Sequence, residues 1–260
     1  MGSENKLAPL MDVIRPMGNV AIGYSGGVDS ALLLRVALEA LGSENVLAVM
    51  AVAPIWPADE QEHAIRMAQE MGADIRTVQA PDISQPAFSR HLPNRCYFCK
   101  LDIFSHVIRA AKDAGFRWIA DGTNLDDLDE DRPGLLALRE LGVRSPLAEA
   151  GLTKSDVRAL ARELGLPVWD APARACLATR IPFGTPVTEE RLRLAEAAER
   201  VIASLGFREY RCRLHGNLVR LELPPDELPH ALDLRERIAS ELHRVGFEYV
   251  TLDLNGMKRR

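Results

Sequence analysis

Val20-Ala21-Ile22-Gly23-Tyr24-Ser25-Gly26-Gly27-Val28-Asp29-Ser30-Ala31-Leu32-Leu33-Leu34 passes from an apolar strand pattern, through a glycine turn, into a helical pattern. Strand, glycine turn and helix in that order make a phosphate site. A helix N-terminus leaves backbone N–H groups unpaired, and its aligned peptide dipoles favour an anion there. Gly26 and Gly27 let the backbone come close to phosphate oxygens in conformations closed to other residues. The hydroxyls of Ser25 and Ser30 add hydrogen bonds. Asp29 repels phosphate directly but can hold a magnesium ion that binds it.

No lysine follows the glycines, so this is not a Walker A loop, and the spacing is not G-x-G-x-x-G either. The hexapeptide Ser25-Gly26-Gly27-Val28-Asp29-Ser30 resembles the pyrophosphate loop, S-G-G-x-D-S, of the ATP pyrophosphatases. Those enzymes split ATP between its α and β phosphates. One rival shares the residues: Gly23-Tyr24-Ser25-Gly26-Gly27 also reads G-x-S-x-G, the nucleophile elbow of a serine hydrolase using Ser25. That elbow normally follows several strands and is completed by a downstream acid and histidine. Here it lies on the first strand, with no downstream histidine in a recognisable setting.

The chain has 260 residues, enough for one large or two modest domains. Its apolar content of 47% and charged content of 27% are those of a globular protein. No apolar run approaches the ~20 residues of a membrane span, and Met1 to Lys6 lacks signal-peptide character. A soluble cytoplasmic protein is expected, with no membrane partner. A net charge of −5 argues against a general nucleic-acid binder.

Strand and helix alternate over the first two-thirds. Strands are expected at Val20–Tyr24, Val46–Val52, Ile75–Val78 and Trp118–Asp121. Helices are expected from Ala31, over Asp59–Met71, Lys100–Ala114, Leu135–Leu141 and Ser155–Leu164, with 80–95 and the acidic Asp126–Asp131 as loops. This rhythm predicts an α/β fold, a doubly wound parallel sheet, with ligands beyond the carboxyl ends of its strands. Asp121-Gly122-Thr123-Asn124 then joins the glycine loop at that edge, and Gly122 and Thr123 are candidate ATP contacts. The last third predicts a smaller C-terminal α+β domain. Thr188 caps a helix, Glu209–Leu214 and Leu218–Leu223 form a hairpin at Gly216-Asn217, and a helix over Asp226–Val245 leads to a strand over Phe247–Leu254. The expected domains are 1–186, binding ATP, and 187–260, with order αββαβ.

Four cysteines do not make a disulfide scaffold in a chain of this kind. Cys96-Tyr97-Phe98-Cys99 offers two thiolates to one metal, just before a helix expected at Lys100 and beside Arg95. Three cysteines, with Cys176 added, suit a 4Fe–4S cluster with one iron open. A redox pair, a zinc half-site in a noncatalytic interaction module, and an inert buried thiol are the other readings. Cys212 alternates with Arg211 and Arg213 and is read as a buried apolar residue.

Taken together, these segments resemble the LarE family of ATP-dependent sulfur transferases, which build the nickel-pincer nucleotide cofactor. The matching stretches are Ser25–Ser30, Cys96–Lys100, Asp121–Asn124, Asp131-Arg132-Pro133-Gly134, Arg144-Ser145-Pro146-Leu147 and Cys176 through Thr185. The resemblance implies an adenine nucleotide alpha hydrolase-like fold and a substrate, pyridinium-3,5-biscarboxylic acid mononucleotide. It implies attack of a carboxylate on the α phosphate of ATP, with magnesium at Asp29, then displacement of AMP by sulfur. Members with one cysteine give up the sulfur of the residue matching Cys176; members with three resemble cluster-dependent enzymes. This chain has all three, so the resemblance implies a 4Fe–4S cluster on Cys96, Cys99 and Cys176. It also implies substrate phosphate binding by Arg180, Arg211 and Arg213, and a homo-oligomer formed through the C-terminal domain. Within the fold, tRNA thiolation is the rival; the charge of the chain counts against it.

Overall fold

Val46–Met50 and Val20–Ile22 are continuous apolar runs, and such runs become strands covered on both faces. The computed structural model describes residues 4–128, 133–172 and 175–257. Its first unit comprises residues 1–53, 58–82 and 94–173. In chain order it holds α1 (Glu4–Ile14), β1 (Val20–Gly23), α2 (Val28–Leu41), β2 (Val46–Val52), α3 (Ala58–Glu70) and β3 (Asp74–Gln79). A short turn of helix, α4 (Pro86–Ser89), belongs to the second unit. Then come α5 (Arg95–Asp113), β4 (Trp118–Ala120), α6 (Leu125–Leu128), α7 (Pro133–Glu140), α8 (Pro146–Glu149) and α9 (Lys154–Glu163).

The four strands pair in parallel in the order β3-β2-β1-β4. Order reverses at β1, which is therefore the topological switch point where open α/β sheets bind ligands. The register places Ile22 opposite Ala120 and Gly23 opposite Val49. The loops after β1 and β4 thus leave the sheet side by side. Helix α2 buries nearly its whole circumference, including Leu32, Leu33, Leu34 and Val36, as its all-round apolar sequence dictates. Helix α9 packs beside it. β3 carries Asp74, Arg76 and Thr77 and forms an exposed sheet edge, where charge discourages further pairing.

The second unit gathers residues 54–57, 83–93 and 174–260. Two loops that interrupt the first unit in sequence join it by backbone bonds. Leu177 N–H donates to Ile55 O at 2.9 Å, Gly184 N–H to His91 O at 3.0 Å, and Val187 N–H to Ser89 O at 2.8 Å. The packing boundary consequently falls before residue 187, and local periodicity has no means of reporting such returns. Here lie α10 (Glu189–Ser204), β5 (Arg211–His215), β6 (Leu218–Glu222), α11 (Leu228–Asp233), α12 (Arg235–Val245) and β7 (Tyr249–Leu252). β5 and β6 form the expected hairpin, with Gly216 at φ 67°, and β7 adds parallel to β6. Cys212 is fully buried on the helix-packed face, as its alternation required.

Four local expectations change. The loop expected over 80–95 contains the helical turn α4, opened by Pro86 at its first position. The helix expected from Lys100 begins at Arg95, one turn earlier; Asn94 stands at its N-cap without a capping side-chain bond, and Pro93 lies just outside it. Cys96 and Cys99 are therefore helical rather than in a preceding loop. The single helix expected over 226–245 is split into a 3-10 turn, α11 and α12; Pro229 has no N–H to continue a preceding helix. Part of the acidic stretch is helical as α6. Asp131 and Arg132 lie outside the described residues. No helix among the described residues is long and apolar enough to cross a membrane.

Helix α9 opens on a reciprocal cap. The Thr153 hydroxyl accepts from Asp156 N–H at 3.2 Å, and Asp156 accepts from Thr153 N–H at 3.0 Å. Thr153→Ala should destabilise the protein by about 1 kcal/mol, read as a lowered urea midpoint with an unchanged slope.

Candidate functional site

The turn from β1 into α2 is held from several sides. Tyr24 is buried, and its hydroxyl donates to Ala64 O on α3 at 3.1 Å. Gly26 takes φ 76°, and a Cβ there would lie 2.4 Å from the Ala64 side chain. Conformation and space both demand glycine. Gly23 serves packing instead. A Cβ there would meet the Phe104 ring at 2.7 Å, so this glycine lets α5 lie against β1.

Within the loop, Ser30 is 4% exposed and acts as a brace. Its hydroxyl donates to Gly27 O at 3.1 Å and accepts from Ser25 N–H at 3.2 Å. Ser25 and Gly27 are exposed, and the Ser25 hydroxyl lies 3.2 Å from that of Ser30. Gly27 N–H donates to Ser25 Oγ at 3.4 Å. None of these bonds to Ser25 involves a histidine or carboxylate that would activate a serine nucleophile. Gly27 is the N-cap of α2, so the first N–H groups of a fourteen-residue helix stand over the loop.

The turn after β4 closes on this loop. A Cβ at Gly122 would lie 2.8 Å from Ser30 N and 3.2 Å from Asp29 Cβ. The space on the Cβ side of Gly122 is thus filled by the loop's own backbone. Asp121, 4% exposed, is saturated by neutral donors. It accepts from Thr123 N–H at 3.2 Å, Thr123 hydroxyl at 2.6 Å and Ser145 hydroxyl at 2.8 Å. Thr123 is itself buried and spends its hydroxyl on Asp121. Arg144 N–H donates to Ile119 O and Asp121 N–H to Arg144 O, a single parallel bridge that pairs Arg144 with Ala120 at the end of β4. Gly122 and Thr123 therefore shape the turn that supports the loop.

Asp29 is the charged centre of this edge. Asn124 Nδ2 donates to its Oδ1 at 3.1 Å, and Lys154 Nζ pairs with its Oδ2. Asn124 in turn accepts from Asp126 N–H at 3.0 Å, and Lys154 N–H donates to Asp126 Oδ2 at 2.8 Å. Lys154 was not among the residues singled out from sequence. Its signal is Thr153-Lys154-Ser155-Asp156, a capping pattern that puts a cation at the first position of a helix. The helix dipole disfavours a cation there, and such local conflicts mark functional positions. A partly exposed carboxylate at a phosphate loop suits magnesium, which takes one or two protein carboxylates and completes its shell with phosphate and water.

Cys96 and Cys99 lie three residues apart on α5 and so share a face. Cys96 is exposed and Cys99 buried. The buried Arg95 guanidinium donates to Cys96 Sγ at 3.8 Å. None of the four cysteines forms a disulfide. Two thiolates on one helical face fit two ligand positions of an iron–sulfur cluster. Among the described residues, no three His, Cys, Asp or Glu side chains are grouped to hold one metal ion.

In the second unit, Cys176 caps the 3-10 turn Leu177–Arg180. Its carbonyl accepts from Thr179 N–H at 2.9 Å and the Thr179 hydroxyl at 2.8 Å. Arg180 and Arg213 both reach Thr179, Arg180 at its hydroxyl (2.7 Å) and Arg213 at its carbonyl. Each guanidinium is also forked by a carboxylate that sequence reading did not single out. Arg180 pairs with Glu199 of α10, and Arg213 with Glu222 at 3.0 and 3.2 Å. Glu222 also accepts from Arg220 at 2.9 Å, which offsets the Arg213–Arg220 like-charge pair across the hairpin. Arg211 shares the strand face of Arg213. Burial pushes the Cys212 thiol well up, with Glu199 adding to it, so it stays a neutral core residue.

A parallel sheet whose order reverses at a serine–glycine loop turning into a helix defines a pyrophosphate-loop ATP-dependent enzyme. A family model described as NAD synthase matches residues 12–101. The chain is 40% identical over 256 residues to an uncharacterized protein of Synechocystis sp., covering 97% of this chain and 95% of that one. It is 36% identical over 253 residues to the pyridinium-3,5-bisthiocarboxylic acid mononucleotide synthase of Lactiplantibacillus plantarum, covering 97% and 92%. An uncharacterized protein of Methanocaldococcus jannaschii is 30% identical over 235 residues, covering 90% and 89%. The chain belongs to the LarE family of ATP-dependent sulfurtransferases.

Gly122→Ala places a methyl group against Ser30 N and Asp29 and must displace the loop. It should weaken ATP binding about tenfold or more, measured by calorimetry, with the far-ultraviolet spectrum unchanged. Unchanged affinity would mean that the turn relaxes without moving the loop.

Proposed function

We propose that this enzyme converts both carboxylates of pyridinium-3,5-biscarboxylic acid mononucleotide to thiocarboxylates, using one ATP for each. The product is the compound in the name of its Lactiplantibacillus plantarum relative. The observation that carries this most directly is the loop Ser25–Ser30 at the switch point of the sheet, with exposed Ser25 and Gly27 and the helix N–H groups above them.

A substrate carboxylate oxygen attacks the α phosphorus, the bond to the bridging oxygen breaks, and pyrophosphate leaves. A sulfide nucleophile adds to the acyl carbon of the mixed anhydride, and AMP leaves with the carboxylate oxygen. The N–H groups of Gly27 and of the first turn of α2 bind the β and γ phosphates. Asp29 is the magnesium ligand; the bound ion would neutralise phosphate charge. In the second unit, Arg180, Arg211 and Arg213 bind the substrate's own phosphate, using guanidinium donors that Glu199 and Glu222 leave over.

Cys96, Cys99 and Cys176 are the sulfur-handling residues. A 4Fe–4S cluster held by these thiolates would offer sulfide at its one iron without a protein ligand. Arg95 donates to Cys96 Sγ and orients that side chain, and Thr179 fixes the backbone that presents Cys176. A second reading has Cys176 giving up its own sulfur; its support is the Cys176 backbone held by Thr179 at the start of the 3-10 turn. We place the enzyme in the cytoplasm, as a homo-oligomer assembled through residues 187–260, with no nucleic-acid or membrane partner.

Purification without oxygen, followed by iron and acid-labile sulfide assays beside Cys176→Ala, separates these routes. The three-cysteine route predicts about four irons and four sulfides per chain, lost in the variant. An iron-free protein that still forms thiocarboxylate once per Cys176 would establish the sacrificial route. Formation of ADP instead of AMP and pyrophosphate would overturn the adenylation chemistry common to both.

A further inference from the structure

Asp29 is already paired. Both of its oxygens are engaged, one by the Asn124 amide and one by the Lys154 ammonium. A divalent cation approaching Asp29 must displace that ammonium or share a carboxylate with it, and like charges at such range repel strongly. Lys154 is built to move. Its Cα is fixed by the Thr153–Asp156 capping box and by the buried Val157, Leu160 and Ala161 that anchor α9. Its side chain keeps 33% exposure and a flexible four-carbon stem. Position also biases it: it stands at the N-terminus of α9 and faces the second residue of α2, so both helix dipoles disfavour its charge there. Only an anion stabilises it in this place, and here that anion is Asp29.

We infer that Lys154 is the placeholder cation of the phosphate loop: it occupies Asp29 until a nucleotide's phosphates draw the ammonium away and a divalent metal takes its position. The inference rests on Asp29 being the metal ligand. It makes metal and nucleotide binding mutually dependent, because each phosphate–lysine contact frees a carboxylate oxygen for the metal. It also keeps divalent ions off the loop before nucleotide binds, so the site fills with the metal and the nucleotide together.

Manganese(II), followed by electron paramagnetic resonance, tests this without turnover. The protein, Lys154→Gln, Lys154→Arg and Asp29→Asn are titrated with Mn2+ alone and with Mn2+ plus α,β-methylene-ATP, after urea midpoints show each variant folded. Without nucleotide, Lys154→Gln should bind Mn2+ at least tenfold more tightly than the unaltered protein, and Lys154→Arg should not. With the nucleotide analogue the unaltered protein should bind Mn2+, and Asp29→Asn should lose most of that binding. If Lys154→Gln binds free Mn2+ no better than the unaltered protein while Asp29 still governs nucleotide-linked binding, the placeholder role is overturned and the site reading stands. If Asp29→Asn binds Mn2+ with nucleotide as well as the unaltered protein, Asp29 is not the metal ligand, and both fall.

Discussion

Close approach of backbone to backbone around one turn governs the rest of this molecule. The chain leaving β1 must reach α2 through a loop that α3 touches at Gly26 and the turn after β4 touches at Gly122. A methyl group at either place would have to push the loop away. Because β1 is central and the strand order reverses there, the loop has β2 on one side and β4 on the other. The polar groups that the turn exposes are then satisfied in order. Ser30 closes the loop on itself, and Asp121 collects Thr123 and Ser145 into the support beneath it. What faces solvent is Ser25 and Gly27, beside the first N–H groups of α2, which suit an anion.

Charge is arranged differently in the two units. At the phosphate loop, one carboxylate, Asp29, pairs with one cation, Lys154, and the pair is partly exposed. In the second unit the arginines are locked by carboxylates: Arg180 by Glu199, with Arg213 and Arg220 by Glu222. Such pairs are expensive to bury and still more expensive to break singly, so they fix geometry. The segment Cys176–Arg180 is tied into this network through Thr179, which holds its backbone beside the cysteine while leaving the thiol uncommitted to a disulfide.

Much of this was legible in the sequence. The doubly wound sheet followed from apolar runs at Val20 and Val46, and the loop from Ser25–Ser30. The hairpin followed from Gly216-Asn217, and burial of Cys212 from its alternation with two arginines. These are signals of local period and composition. The start of α5 was displaced because the apolar stripe begins only at Ile103, while its first turn, Arg95 to Phe98, carries no helical periodicity of its own. For Gly122, sequence shows that a residue lacks a side chain but not what lies beside it, which here is Ser30 N and Asp29. Glu199 and Glu222 were passed over because a lone glutamate on a helix or strand looks solvated until a distant arginine folds onto it. The return of residues 54–57 and 83–93 to the second unit depends on long-range backbone pairing that no periodicity encodes. Lys154 was readable in principle as a cation at the wrong end of a helix.

Isotope transfer tests the central chemical claim most directly. If a substrate carboxylate attacks the α phosphorus, substrate labelled with 18O in its carboxylates must pass one 18O atom to AMP for every thiocarboxylate formed. Mass spectrometry of the AMP should show that label, with pyrophosphate unlabelled. Label in inorganic phosphate or pyrophosphate, or AMP free of 18O beside thiocarboxylate, would contradict the account.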